Sequence, residues 1–151
     1  RLTRIPAPIR TQISIAELFT DLKKLFPEEE FQFEVPSPEL KLNVDRTQIE
    51  QILINLLKNA REACSRKSDK KIQVKARKLS AGNTTLTISD NGEGILPDVL
   101  DKIFVPFFTT KTSGSGIGLS LCKQIMTLHE GSINVKSEVG KGSSFILTFP
   151  K

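Results

Sequence analysis

Apolar residues recur along this chain in two rhythms, one of period two and one near 3.6. Ile15, Leu18, Phe19, Leu22, Leu25 and Phe26 fall on one face of a helix. Ser14 and Glu17 form the capping box that opens it, and Pro27 ends it. Phe31, Phe33 and Val35 alternate with Gln32 and Glu34, which predicts a strand; after the Pro36–Pro38 turn, Leu40 and Leu42 predict a second short one. Asp45 is a good N-cap for the longest helix, which runs to about Ser65. Its buried stripe is Ile49, Ile52, Leu53, Leu56, Leu57 and Ala60. A second stripe carries Gln51, Asn55, Asn59 and Glu62. Asparagine is a mediocre helix former, so taken alone this stripe reads as a solvated polar face.

The second half keeps the same alternation. Ile72, Val74 and Ala76 form a strand, Ala81-Gly82-Asn83 a hairpin turn, and Leu86 and Ile88 the returning strand. That strand runs into Asp90-Asn91-Gly92-Glu93-Gly94-Ile95, which puts a carboxylate at a sheet edge beside glycines where a flat ligand can lie. A plain Asp-Asn-Gly turn is the alternative. Pro97 to Lys102 reads as a short helix and Ile117 to Leu128 as an amphipathic one, capped by His129-Glu130-Gly131. At that helix end His129 reads as favourable dipole chemistry rather than as a base. Ile133 and Val135, then Phe145, Leu147 and Phe149, form a last hairpin around Gly140-Lys141-Gly142. The order predicts an α/β fold, a two-layer sandwich whose mixed, mostly antiparallel sheet is covered on one face by about three helices.

One stretch, Ile103 to Leu121, fits neither rhythm. Phe104, Pro106, Phe107 and Phe108 give way to Thr109, Thr110, Lys111, Thr112 and Ser113, then to Gly114, Gly116 and Gly118. Glycines at alternate positions let a backbone pass close to a bulky anion, and the helix start that follows offers unpaired N–H groups. The stretch reads as a lid closing over nucleotide phosphates, or as a Gly/Ser surface loop.

Composition narrows the classes. The 151 residues suit one domain with a full core. Net charge is +5, which fits anionic partners, but tryptophan and tyrosine are absent, so single-stranded nucleic acid finds no tyrosine or tryptophan to stack on. Cys64 and Cys122 sit in apolar helical contexts and read as reduced core thiols. No apolar run reaches membrane-spanning length and no signal peptide appears. With its reduced thiols the domain is expected to be cytoplasmic, whether or not its parent protein is membrane-anchored. The first residue is Arg1, so the chain reads as a piece of something longer. Arg1 to Arg10, with Pro6 and Pro8, reads as an extended linker or a short edge strand; residues 1–12 are expected to be a linker and residues 13–151 the folded domain.

Five clusters together carry a resemblance. Asn55-Leu56-Leu57-Lys58-Asn59-Ala60 resembles the asparagine box of sensor histidine kinases, and Asp90-Asn91-Gly92-Glu93-Gly94-Ile95 their first glycine box. Phe104-Val105-Pro106-Phe107 resembles the phenylalanine box, Gly114-Ser115-Gly116-Ile117-Gly118-Leu119 the second glycine box, and Gly140-Lys141-Gly142-Ser143 the last. They occur in the family's order between about Asp45 and Pro150. The resemblance implies the Bergerat ATP-binding fold, shared with gyrase and MutL, and the threonine-lysine lid is similar to that of nitrogen-regulation-type kinases. It implies ATP and Mg²⁺ as cofactors. Asp90 is then the adenine reader, with Gly92 and Gly94 letting the backbone approach the ring, Ser143 contacting the base through water, and Ile95 and Phe104 among the nucleotide-binding residues. Asn59 is the magnesium ligand. Asn55 faces the phosphates, with Thr110, Lys111 and the segment Gly114, Ser115, Gly116, Ile117, Gly118 and Leu119.

Asn55 and Lys111 carry the catalytic expectation. Hydrolysing relatives have a glutamate at the position of Asn55 as base for water. An amide cannot take that proton, whereas an imidazole brings its own lone pair, so transfer to histidine is favoured over hydrolysis. A gyrase- or MutL-like ATPase, or a nucleotide sensor without catalysis, is the alternative. Many family members place a basic residue where this chain has Glu62, which makes Lys58 and Arg61 the candidate phosphate cations. No phosphoacceptor histidine precedes the asparagine box, so the expected partners are a separate dimerisation and phosphoacceptor domain and a response regulator receiver. The fragment itself is expected to be monomeric and to bind no nucleic acid.

Overall fold

The computed structural model describes residues 4–106, 108 and 118–151. In chain order these form β1 (Thr11–Ser14), α1 (Ile15–Leu25), β2 (Phe31–Glu34), β3 (Lys41–Val44), α2 (Arg46–Ala63), β4 (Ile72–Lys78) and β5 (Thr84–Asp90). The short α3 (Pro97–Leu100), α4 (Gly118–Leu128), β6 (Ser132–Glu138) and β7 (Gly142–Phe149) follow. Five strands make one sheet in the order β2-β4-β5-β7-β6, antiparallel except for the parallel β2–β4 pair. The predicted two-layer α/β sandwich with a mixed, mostly antiparallel sheet is the observed one.

The sheet is buried on one face. Ile72 and Val74 of β4, Leu86 and Ile88 of β5, and Phe145 and Leu147 of β7 form its core side. Leu18 and Leu22 of α1, Ile125 and Met126 of α4, and the α2 stripe Ile49, Ile52, Leu53, Leu56 and Leu57 belong to the same core. Alternate residues such as Lys75, Thr87 and Asn134 point the other way and stay at least partly exposed. Each fully buried leucine or isoleucine contributes about 1.5–3 kcal/mol, against about 1 kcal/mol for a typical hydrogen bond. The apolar stripe of α2 therefore sets its rotation, and the asparagine stripe follows.

Both predicted caps form. The Glu17 N–H donates to Ser14 Oγ at 3.2 Å, and the Gln48 N–H to Asp45 Oδ1 at 3.1 Å. Three boundaries and one pairing differ from the sequence reading. Strand β2 stops at Glu34, before Val35. Helix α2 stops at Ala63, two residues before Ser65, with Cys64 as its C-cap. Helix α3 stops at Leu100, before Lys102, and gives way to turns. The strand at Leu42 does not join the main sheet: β3 pairs in a separate two-stranded ribbon with β1, which begins at Thr11, inside the expected linker and just past the stretch read as linker or short edge strand. With only Ile13 buried, β1 shows too little alternation to be visible in the sequence.

Candidate functional site

Asp90 is the last residue of β5. Across the sheet its register partners are Ile72 on β4 and Ser143 on β7, and Ser143 in turn faces Ser137 on β6. Asp90, Ser143 and Ser137 thus form one row on the helix-covered face. The Gly92 N–H donates to Asp90 Oδ1 at 2.8 Å, and the Ser143 backbone N–H also bonds the carboxylate. Burial pushes the Asp90 carboxyl above the ordinary aspartate value, and the two amides pull the other way without cancelling it. Such a group is a strong, positioned acceptor when ionised.

The loop after Asp90 is tied down on every side. Asn91 Nδ2 donates to the Asp69 carbonyl at 2.8 Å, and its Oδ1 accepts from the Lys71 N–H at 2.9 Å and from Cys64 Sγ at 3.5 Å. The Glu93 N–H reaches the Ala63 carbonyl at 3.1 Å, and the Gly140 N–H the Glu93 carbonyl at 2.8 Å. Gly94 has φ +79°. The Ile95 N–H donates to Ser137 Oγ at 2.8 Å. The loop therefore joins the end of α2 to the β6–β7 turn. Cys64 and Cys122 are both buried and free, as expected; burial raises both thiols, Cys122 to about 12.

The polar stripe of α2 is solvated at Gln51 and Glu62, as its residue types predict, but not at the two asparagines between them. Asn55 and Asn59 are half-buried, and Asn59 Nδ2 donates to Asn55 Oδ1 at 3.4 Å. A Cβ on Gly118 would sit 2.6 Å from Asn55 Nδ2, so the first residue of α4 lies directly against that amide. Leu119, next along, packs on the core. Asn55 and Gly118 are therefore brought together, as the sequence reading requires.

Of the two candidate cations, Arg61 is committed elsewhere. Its guanidinium stands 5.0 Å from the Phe26 ring centroid and 5.3 Å from that of Phe31, and it bonds Glu28 at 3.1 Å. Lys58 is exposed. Phe104 is half-buried beneath Lys123, whose Nζ lies 5.7 Å from the ring centroid. It lines a groove of about 730 Å³ with Ile5, Lys123 and Leu128, on the flank of α4. Phe107, Thr110, Lys111, Gly114, Ser115, Gly116 and Ile117 lie outside the described residues. The sequence reading missed Ser137. Its signal was a break in pattern: Ile133, Val135 and residue 137 share the inward phase of β6, and the third is polar.

The profile of the family described as "Histidine kinase-, DNA gyrase B-, and HSP90-like ATPase" matches residues 44–151. The chain belongs to this family. It is 39% identical to the sensor histidine kinase ZraS of Salmonella typhimurium over 110 residues, 73% of this chain and 23% of that protein. It is 42% identical to the signal transduction histidine-protein kinase AtoS of Escherichia coli over 109 residues, 72% of this chain and 18% of that one. The chain thus spans less than a quarter of the length of either relative. Among solved structures, the catalytic domain of histidine kinase ThkA superposes with TM-score 0.82 at 35% identity, covering 94% of this chain and 95% of that one. ThkA in complex with the response regulator protein TrrA superposes with TM-score 0.76 at 31% identity, covering 94% of this chain and 42% of that chain. The fold is that of a histidine kinase catalytic domain, and the family implies ATP binding. No helix among the described residues is long and apolar enough to cross a membrane.

Proposed function

We propose that this chain is the catalytic ATP-binding domain of a two-component sensor histidine kinase. It transfers the γ-phosphoryl group of ATP to a histidine on a separate dimerisation and phosphoacceptor domain, for relay to a response regulator. The observation that carries this reading is the half-buried Asp90 carboxylate, held by two backbone amides at the end of β5. It accepts from the exocyclic amine of adenine, where guanine presents an oxygen. Asn59 offers its side-chain oxygen to Mg²⁺, whose remaining ligands are phosphate oxygens and water. Asn55, against Gly118, faces the phosphates.

The residue types favour transfer over hydrolysis. An amide at position 55 orients but removes no proton, so water is poorly activated, while a neutral imidazole attacks phosphorus without a base. The residues ahead of β1 connect to a phosphoacceptor domain, the domain acts in the cytoplasm even if its parent is membrane-anchored, and the isolated chain is a monomer that binds no nucleic acid.

The test mixes this chain with labelled ATP·Mg²⁺ and a separately made phosphoacceptor domain. Acid-labile, alkali-stable label on that domain is expected, and Asn59→Ala and Asp90→Ala should abolish it. Rapid phosphate release without acceptor would instead favour the gyrase- or MutL-like reading.

A further inference from the structure

We propose that Ser137 is a positioning residue of the purine end of the site. Its hydroxyl ties the Gly94–Ile95 backbone to Ser143 and fixes how the Ser143 hydroxyl meets the base that Asp90 reads. The inference rests on the nucleotide reading given above and adds to it a residue outside the five sequence clusters.

The geometry is specific. Ser137 Oγ accepts the Ile95 N–H at 2.8 Å, lies 2.8 Å from Ser143 Oγ, and donates toward the Gly142 carbonyl at 3.2 Å. A serine hydroxyl has one proton and two lone pairs, so these three partners use all of its capacity. If its proton goes to Gly142, Ser143 must donate across the 2.8 Å pair and keeps only lone pairs for a ligand. If its proton goes to Ser143, that residue keeps its own proton for the base or a bridging water. Either way the Ser143 rotor is held by Ser137. Ser143 is also buried, beside Asp90 in register. A hydroxyl at residue 137 therefore connects both sides of the pocket: the loop that carries Gly94, and the row that carries the acid.

Placement argues against a purely structural serine. The inward phase of β6 needs an apolar residue to extend Ile133 and Val135, and alanine or valine would serve packing alone. The polar exception falls in the one row that holds Asp90.

The test compares Ser137→Val with Ser137→Thr, two side chains of nearly one shape of which only threonine keeps the hydroxyl. ATP affinity is measured by calorimetry, exchange of the Ile95 amide by NMR on nucleotide-free protein, and stability by thermal melting. The expected result is ATP binding about tenfold weaker in Ser137→Val, the order of one buried hydrogen bond, with faster Ile95 exchange and parental values restored in Ser137→Thr. Ser143→Ala combined with Ser137→Val should be no weaker than the worse single variant, since the two hydroxyls act as one unit. Parental ATP affinity in Ser137→Val overturns the proposal, and so do fully multiplicative effects in the double variant. Loss of cooperative melting in Ser137→Val, with Ser137→Thr folded, assigns the serine to stability and also overturns it. A parent chain that binds no ATP refutes the nucleotide reading itself. A parent that binds ATP through Asp90 while Ser137→Val binds equally well refutes this inference alone.

Discussion

The backbone N–H of Asp45 donates to Nε2 of His129 at 3.1 Å, across 84 positions of sequence. On the other side of the ring, Nδ1 meets the Ile125 carbonyl at 2.9 Å. Because Nε2 accepts, the ring proton sits on Nδ1 and is donated to Ile125, which is the neutral tautomer. The imidazole is buried and pins the N-cap of α2, the asparagine helix, to the last turn of α4. The sequence reading placed His129 at the helix end in favourable dipole chemistry, and its ring N–H does meet a last-turn carbonyl; the bond from the Asp45 N-cap was not legible.

His129→Ala removes the acceptor of a backbone N–H that sits at a helix cap. A stability loss of about 1–3 kcal/mol is expected by denaturant melting. ATP affinity at a temperature where the variant is folded should match the parent. Labelled phosphate on His129 itself would contradict this purely structural assignment.

Asp45 gives an acid dependence with a definite sign. The Ile9 N–H, donated to Oδ2 at 2.9 Å, is the main cause that holds its carboxyl below the ordinary value of 3.8; the Gln48 and Thr47 N–H groups add to it, against a smaller opposing effect of burial. A depressed folded-state pKa stabilises fully above the unfolded value and is lost as pH falls through the folded one. The parent should therefore lose stability relative to Asp45→Asn only below about pH 3.8, since asparagine keeps a capping oxygen without titrating. Parallel melting curves for the two proteins between neutral pH and pH 2.5 would refute it, a window chosen about one unit beyond the ordinary value.

Asp90 has the opposite sign. Burial raises its folded-state pKa above 3.8, so its ionisation costs stability at neutral pH; the cost begins to shrink as pH falls through the raised value and is gone below about 3.8. Asp90→Asn should melt no lower than the parent at pH 7 without nucleotide, yet bind ATP far more weakly. ATP affinity of the parent should begin to fall on acidification at a pH above 3.8, because protonation removes the acceptor. Calorimetric titration at stepped pH measures this directly.

Arg61 and Lys58 separate by what each variant leaves intact. Arg61→Ala gives up its stacking on Phe26 and Phe31 and its pair with Glu28, and should cost on the order of 1 kcal/mol of stability without a change in ATP affinity. Lys58→Ala should leave stability unchanged. It should weaken ATP about threefold to fivefold, the scale of an exposed charge pair, and leave adenosine binding as it was. Equal ATP losses in the two variants would show that Arg61 leaves its aromatic seat to reach the phosphates.

Much of this was legible from residue patterns because strong patterns are local. The α2 stripe and the β4–β5 and β6–β7 hairpins alternate cleanly, and Ser14 and Asp45 cap as such residues do. Strand β1 was not legible, because a four-residue ribbon with one buried side chain depends on a partner thirty residues away. The commitment of Arg61 was equally hidden: helical spacing shows which way a side chain leaves the helix, not that two phenylalanines from another part of the chain await it. Ser137 was visible only as a flaw in an otherwise regular strand, and its meaning required the register of three strands.

Gly142 has φ +127°, and a Cβ there would collide with the carbonyl oxygen of Asp90. Strands β5 and β7 therefore touch main chain to main chain at the very row that holds the acid. Any side chain at residue 142 would press on the Asp90 peptide, which has no freedom to swing aside, and would drive the two strands apart beside the Asp90–Ser143 pair.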